Sequence, residues 1–158
     1  MSDLKPASQR VQDEADKLGL LITVKQLTDS TRTADDAAKA CDCTVAQIVK
    51  SLVFRGKESN EPVLLLVSGN NRVNEKKAAD YAGEKLHRPN AEYVREITGF
   101  AIGGIPPFAH TAPLRTFIDQ DLLQHEVVWA AAGTPNSVFA VEPKSLANAV
   151  GAQIVSVA

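Results

Sequence analysis

Residues 44–54 read Thr44-Val45-Ala46-Gln47-Ile48-Val49-Lys50-Ser51-Leu52-Val53-Phe54, and their hydrophobic period changes part-way along. Thr44 with Gln47 three residues on is a capping box, so a short helix is expected through Val45, Ile48 and Val49. Ser51 to Arg55 then reads as a strand entered without a linker. Lys50 falls at the junction, where its ammonium is drawn toward the interior and needs an anionic or carbonyl partner. Snorkelling to the surface is the ordinary alternative for such a lysine.

Upstream, Pro6 suits the first turn of a helix that carries Val11, Ala15 and Leu18 on one face and stops at Gly19. Leu20 to Leu27 reads as a strand. Thr33 with Asp36 forms another capping box, for a short helix with Ala37, Ala40 and Cys41 inward. Downstream, Gly56 to Pro62 is a polar turn and Val63 to Ser68 a strand. Asn74 caps a helix through Ala78, Ala79 and Ala82 to Gly83. Leu86 to Arg88 is a short strand, and Asn90 caps a helix from Ala91 to Ile97. Further strands are expected at Arg115–Asp119, Glu126–Ala132, Ser137–Val141 and Gln153–Val157, with a helix over Lys144–Val150. Short strands of uneven spacing with flanking helices predict an α+β fold. The expectation is one domain over residues 1–158, with a curved, mixed, largely antiparallel sheet and peripheral helices.

The chain has 158 residues, 44% hydrophobic and 23% charged, which is the composition of a packed globular protein. Aromatic residues make up only 5%, so Ala, Val, Leu and Ile must build most of the core. A net charge of -2 argues against a protein that neutralises many phosphates along a duplex. One or two phosphates could still be held by Lys50, Lys57, Arg72, Lys76 or Lys77. Thr33 to Val53 has the outline of a helix-turn-helix, but Asp35, Asp36 and Asp42 would repel phosphate, so no DNA partner is expected. Cys41 and Cys43 are too close for an ordinary disulfide and supply only two metal ligands. His87, His110 and His125 lack metal spacing, and no metal or cofactor is expected. No apolar run approaches the roughly 18 residues of a membrane span, so a cytoplasmic location without a membrane partner is expected.

Gly99-Phe100-Ala101-Ile102-Gly103-Gly104-Ile105-Pro106-Pro107-Phe108 interleaves apolar residues with three glycines and two prolines. It is too broken for a central strand and too hydrophobic for a plain solvent loop. Adjacent Gly103 and Gly104 let main-chain N–H groups approach a ligand, and Pro106 with Pro107 fixes the exit. Such a loop suits recognition of a carbonyl or hydroxyl by main-chain atoms. It is neither a P-loop nor a dinucleotide fingerprint. A second turn, Ala131 to Ser137, joins two strands through Gly133 and Pro135. No serine sits in a nucleophile elbow and no carboxylates pair, so the sequence offers no catalytic triad.

Together these stretches resemble the YbaK/prolyl-tRNA synthetase-associated domain family, aminoacyl-tRNA deacylases that edit mischarged tRNA. The carriers are Thr33-Ala34-Asp35-Asp36-Ala37-Ala38, Ile48 to Phe54, Gly103-Gly104-Ile105-Pro106-Pro107 and Gly133-Thr134-Pro135-Asn136. The resemblance runs from about Thr31 to the C-terminus. It implies hydrolysis of a small amino acid (Ala, Cys, Ser or Thr) wrongly esterified to tRNA, chiefly proline tRNA. Lys50 would bind the tRNA end or the substrate, with Gly103 and Gly104 as the other catalytic positions. Ile105, Pro106 and Pro107 would position the ester, and Thr31, Ser51, Gly133 and Asn136 would form the wall. The attacking water would be helped by the substrate's own ribose hydroxyl, which dispenses with a triad. The partner implied is the acceptor end of mischarged tRNA, with a synthetase or elongation factor as a further partner. The sequence also departs from the family. Ser51 follows the lysine where the alanine-clearing branch carries Asn, no His lies near Gly133 to Ser137, and Pro106 stands where the YbaK-like branch tends to carry Ser. A noncatalytic module that binds tRNA ends or a synthetase is the alternative, and a small-molecule ester or amide hydrolase a third reading.

Overall fold

The computed structural model describes residues 4–158. Its spine is an eight-stranded mixed sheet in the order β1-β7-β6-β2-β3-β5-β8, with β4 paired to the far end of β2. The strands are β1 (Lys25–Gln26), β2 (Ile48–Gly56), β3 (Pro62–Ser68), β4 (Leu86–His87), β5 (Arg115–Asp119), β6 (Val128–Ala131), β7 (Ser137–Val141) and β8 (Gln153–Val155). Four ladders are antiparallel and three parallel. The helices are α1 (Pro6–Leu18), α2 (Ala34–Cys41), α3 (Glu75–Ala82), α4 (Ala91–Thr98) and α5 (Pro143–Val150).

The run Leu64-Leu65-Leu66-Val67 explains why β3 is central, since all four side chains are 0% exposed. Leu64 and Leu66 join the core under α1, α4 and α5, with Val11, Ala15, Val94 and Leu146. Leu65 and Val67 join the opposite core with Phe117 and with Ala78 and Ala82 of α3. A strand covered on both faces reads as a continuous apolar run rather than an alternating one. Each such leucine contributes about 1.5–3 kcal/mol relative to an exposed one.

The caps fall where the sequence places them. Thr33 accepts from the Asp36 N–H at the start of α2, and Asn74 and Asn90 cap α3 and α4. Gly19, Gly83, Gly99 and Gly151 close helices in the left-handed conformation.

Several expectations are corrected. The helix expected through Val49 is a three-residue 3-10 turn, Val45–Gln47, and Ile48 and Val49 already belong to β2. Ladder pairing with β3 and β6 on both edges outweighs the local helical spacing. Leu20 to Leu27 is strand only at Lys25–Gln26, the two residues that pair with β7, while Leu21 stands 99% exposed. The inner face of α2 is Ala37 and Ala38, with Ala40 and Cys41 half-buried. Neither Cys41 nor Cys43 is fully buried, and both are free. Glu126–Ala132 and Gln153–Val157 shorten to Val128–Ala131 and Gln153–Val155, and an unforeseen 3-10 segment, Gln120–Gln124, follows β5.

Candidate functional site

The site lies where the sheet splits. β2 meets β6 at only two positions, Ile48 opposite Trp129 and Val49 opposite Ala130, and meets β4 only at Arg55 and Gly56. Between them one edge of β2 has no strand beside it. The Gly69 N–H bonds to the Ile48 oxygen at 2.8 Å, which sets the alternation along the β2–β3 ladder. Lys50, Leu52 and Phe54 therefore turn their main-chain groups toward β3, while Ser51 turns its N–H and C=O toward the open edge. The opening is a cavity of about 260 Å³ whose lining includes Thr31, Lys50, Ser51, Gly103, Ile105 and Trp129.

Lys50 is half-buried, and its ammonium donates to the main-chain oxygen of Asn71 at 2.5 Å. Burial holds its pKa below the ordinary lysine value, helped by the nearby Arg88 and Arg72 and opposed by Asp119. The carbonyl partner anticipated for this lysine thus comes from the turn after β3. That turn is clamped in its own right. The Asn71 side-chain amide donates to Asp119 at 2.8 Å and to Asp121 at 2.7 Å. Asp119, 0% exposed, also accepts from the N–H groups of Ser68 and Asp121. The side-chain oxygen of Ser51 is buried and has no hydrogen-bond partner among the described residues.

The glycine–proline loop forms the facing wall. Gly103 has φ of +104°, and a Cβ there would lie 3.2 Å from Arg32 Cγ. Gly104 sits one layer behind. Its oxygen accepts from the Gly133 N–H at 2.9 Å, and a Cβ on it would be 2.9 Å from the Thr134 nitrogen. The two glycine turns, far apart in sequence, are thus packed main chain to main chain. Pro106 offers its oxygen to the His110 ring at 2.8 Å. Burial lowers the His110 pKa, the bond to Pro106 raises it, and Arg10 lowers it.

The structure brings Lys50, Thr31, Ser51, Gly103 and Ile105 together around one cavity. Gly104, Pro106, Pro107, Gly133 and Asn136 do not line it. Asn136 ties the turn to Leu27, donating to its oxygen at 2.8 Å and accepting its N–H at 2.7 Å. Thr31 lines the cavity while both its N–H and its hydroxyl donate to the Pro135 oxygen, at 2.6 and 2.8 Å. Pro107 lines a separate groove with Phe108 and His110. Arg32, Ile102 and Trp129 line the cavity without having been singled out in the sequence. Trp129 is the chain's one tryptophan, which was an available signal. Among the described residues no group of three or more His, Cys, Asp or Glu is placed to hold a metal, and no helix is long and apolar enough to cross a membrane.

A protein with this split sheet, a half-buried lysine beside the split and a glycine–proline wall has the architecture of an aminoacyl-tRNA editing domain. The family described as Aminoacyl-tRNA editing domain matches residues 28–149, and the chain belongs to it. Its class is that of the aminoacyl-tRNA deacylases, which are hydrolases. The chain is similar to a solved structure described as a candidate trans-editing enzyme for prolyl tRNA synthetase, at 46% identity and a TM-score of 0.92 over 98% of each chain. It is 31% identical to the uncharacterized protein YwhH of Bacillus subtilis over 78% of each. It is also 34% identical to a proline–tRNA ligase of Limosilactobacillus fermentum, over 62% of this chain and 18% of the ligase. The chain therefore spans a small part of the ligase's length.

Proposed function

We propose that this protein acts in trans on a small amino acid, one of Ala, Cys, Ser or Thr, mischarged on proline tRNA. The observation that carries the reading is the convergence of Lys50, the open main-chain edge at Ser51 and Gly103 on one cavity of about 260 Å³. That volume lies below the range of about 300–1,000 Å³ usual for drug-sized ligands, which suits a small aminoacyl group. Lys50 keeps two ammonium hydrogens beyond the one given to Asn71, and these serve the phosphate or ribose of the terminal nucleotide. Gly103 and Ile105 fix the ester against the wall. Gly104, Gly133 and Asn136 hold that wall from behind rather than touching substrate.

Among the described residues, the hydroxyls on the cavity wall, Thr31, Thr33 and Ser51, are not hydrogen-bonded to any side-chain base. The reading has the water held next to the ester carbonyl and activated by the ribose hydroxyl beside it, with orientation supplying much of the rate. Trans action in the cytoplasm, on substrate handed over by a synthetase or elongation factor, completes the reading. The test is turnover of charged tRNA whose terminal ribose lacks the free neighbouring hydroxyl. Loss of turnover with retained binding supports substrate assistance. Undiminished turnover places the activating group on the protein and overturns it.

A further inference from the structure

We infer that Asn71 is a positioning residue for Lys50, acting through Asp119 and Asp121. The inference rests on the reading of Lys50 given above. The lysine head is held by a main-chain carbonyl, and a carbonyl in a turn is only as well placed as the turn. The turn is closed by the Asn71 N–H on the Ser68 oxygen at 2.9 Å and joined to β2 by the Gly69 N–H. What fixes it against β5 is one side chain. The Asn71 amide gives its two hydrogens to two different carboxylates, at 2.8 and 2.7 Å. The inner carboxylate, Asp119, is completely buried at the end of β5 and takes two further main-chain N–H bonds. A carboxylate so fully bonded is a fixed point.

The relay thus runs from the sheet interior at Asp119, through the amide of Asn71, to the carbonyl that receives the ammonium. It also lets the chain keep an anion near Lys50 without letting it pair directly with it. A direct ion pair would cancel much of the ammonium's field, whereas a neutral carbonyl takes one hydrogen and leaves that field and two hydrogens for a phosphate or ester oxygen. The charged and titratable groups around the relay are Lys50 on β2, Arg72 beside Asn71, Tyr81 on α3, Arg88 after β4, and Asp119 and Asp121.

The experiment removes the clamp. Asn71→Ala removes both donors and adds no charge, and Asp121→Ala removes the outer acceptor alone. Deacylation of mischarged proline tRNA is measured for each beside wild type and Lys50→Ala, with melting temperature as the control for folding. Asn71→Ala is expected to lower kcat about tenfold or more with KM within about twofold, because misplacement by an ångström is costly in the transition state. Asp121→Ala is expected to lose less, since the bond from Asn71 to Asp119 remains. In parallel, acylation of Lys50 by an amine reagent, read by mass spectrometry without any tRNA, is expected to speed up in Asn71→Ala as the ammonium loses its fixed carbonyl. Wild-type kcat and Lys50 reactivity in Asn71→Ala overturn the inference even if Lys50→Ala is inactive. If Asn71→Ala does not fold, Asp121→Ala reads the same split, and an unchanged kcat overturns the inference. Wild-type turnover in Lys50→Ala would instead defeat the functional reading, and Lys50 acylation would still decide whether Asn71 holds the lysine.

Discussion

The ring of His110 holds the main-chain oxygen of Pro106 at 2.8 Å, closing the exit of the glycine–proline loop onto itself. The neighbouring Ala109 oxygen is held by Arg10 of α1 at 2.6 Å, and Arg10 lies over the Phe100 ring. The loop that faces Lys50 is therefore anchored from behind by groups that never enter the cavity.

His110 makes stability depend on pH in a defined direction. Its folded-state pKa lies below the ordinary value of 6.5, chiefly through burial. The unfolded chain then takes up the proton first, so the stability the neutral ring contributes is present above about 6.5 and is lost as pH falls below it. Melting temperature is expected to drop over that acid range, and His110→Gln is expected to flatten this part of the profile. An unchanged slope in the variant would assign the pH dependence elsewhere.

The half-buried ammonium of Lys50 costs stability. Burial lowers its pKa, so the native state holds that proton less tightly than the unfolded chain. The resulting penalty is full at neutral pH and disappears only as pH rises toward the ordinary lysine value. Lys50→Met is expected to melt at or above the wild-type temperature while deacylation is abolished. A large fall in melting temperature would show that the lysine is structural.

The two adjacent glycines are expected to fail differently. Gly104→Ala drives a Cβ to 2.9 Å from the Thr134 main chain and must force the two turns apart, at a cost of about 1–3 kcal/mol. Gly103→Ala meets only the flexible Arg32 side chain, but its φ of +104° strains any L-residue. Chemical denaturation is expected to show both losses. Only Gly103→Ala also places a methyl on the cavity wall, so its kcat is expected to fall out of proportion to its stability.

Salt should weaken tRNA binding only gently. A chain of net charge -2 holding one or two phosphates near Lys50 gives a slope of log affinity against log salt of about -1. A slope several times steeper would mean that a broad basic surface takes part.

The fold was readable where local chemistry and tertiary packing agree. Thr33, Asn74 and Asn90 cap helices by their own side chains, and the apolar run of β3 announces a strand buried on both faces. It was misread where pairing overrides local spacing. Ile48 and Val49 have helical spacing behind a capping box, yet the ladders to β3 and β6 claim them. Lys50 and Gly103 could be picked out because an ammonium among apolar residues and paired glycines both need a reason. Asn71 could not, since a main-chain carbonyl leaves no mark on residue type, and the buried Asp119 reads in sequence as an ordinary strand end. Gly133 and Asn136 were legible as special turn residues, but only the main-chain contact between Gly104 and Gly133 reveals that they brace the wall.

The most direct test is deacylation of proline tRNA charged separately with Ala, Cys, Ser, Thr and Pro, with wild type and Lys50→Ala side by side. The account predicts that wild type clears at least one of the small amino acids, leaves Pro in place, and loses that activity in Lys50→Ala. Hydrolysis of none of them, or equal turnover by the two proteins, would contradict it.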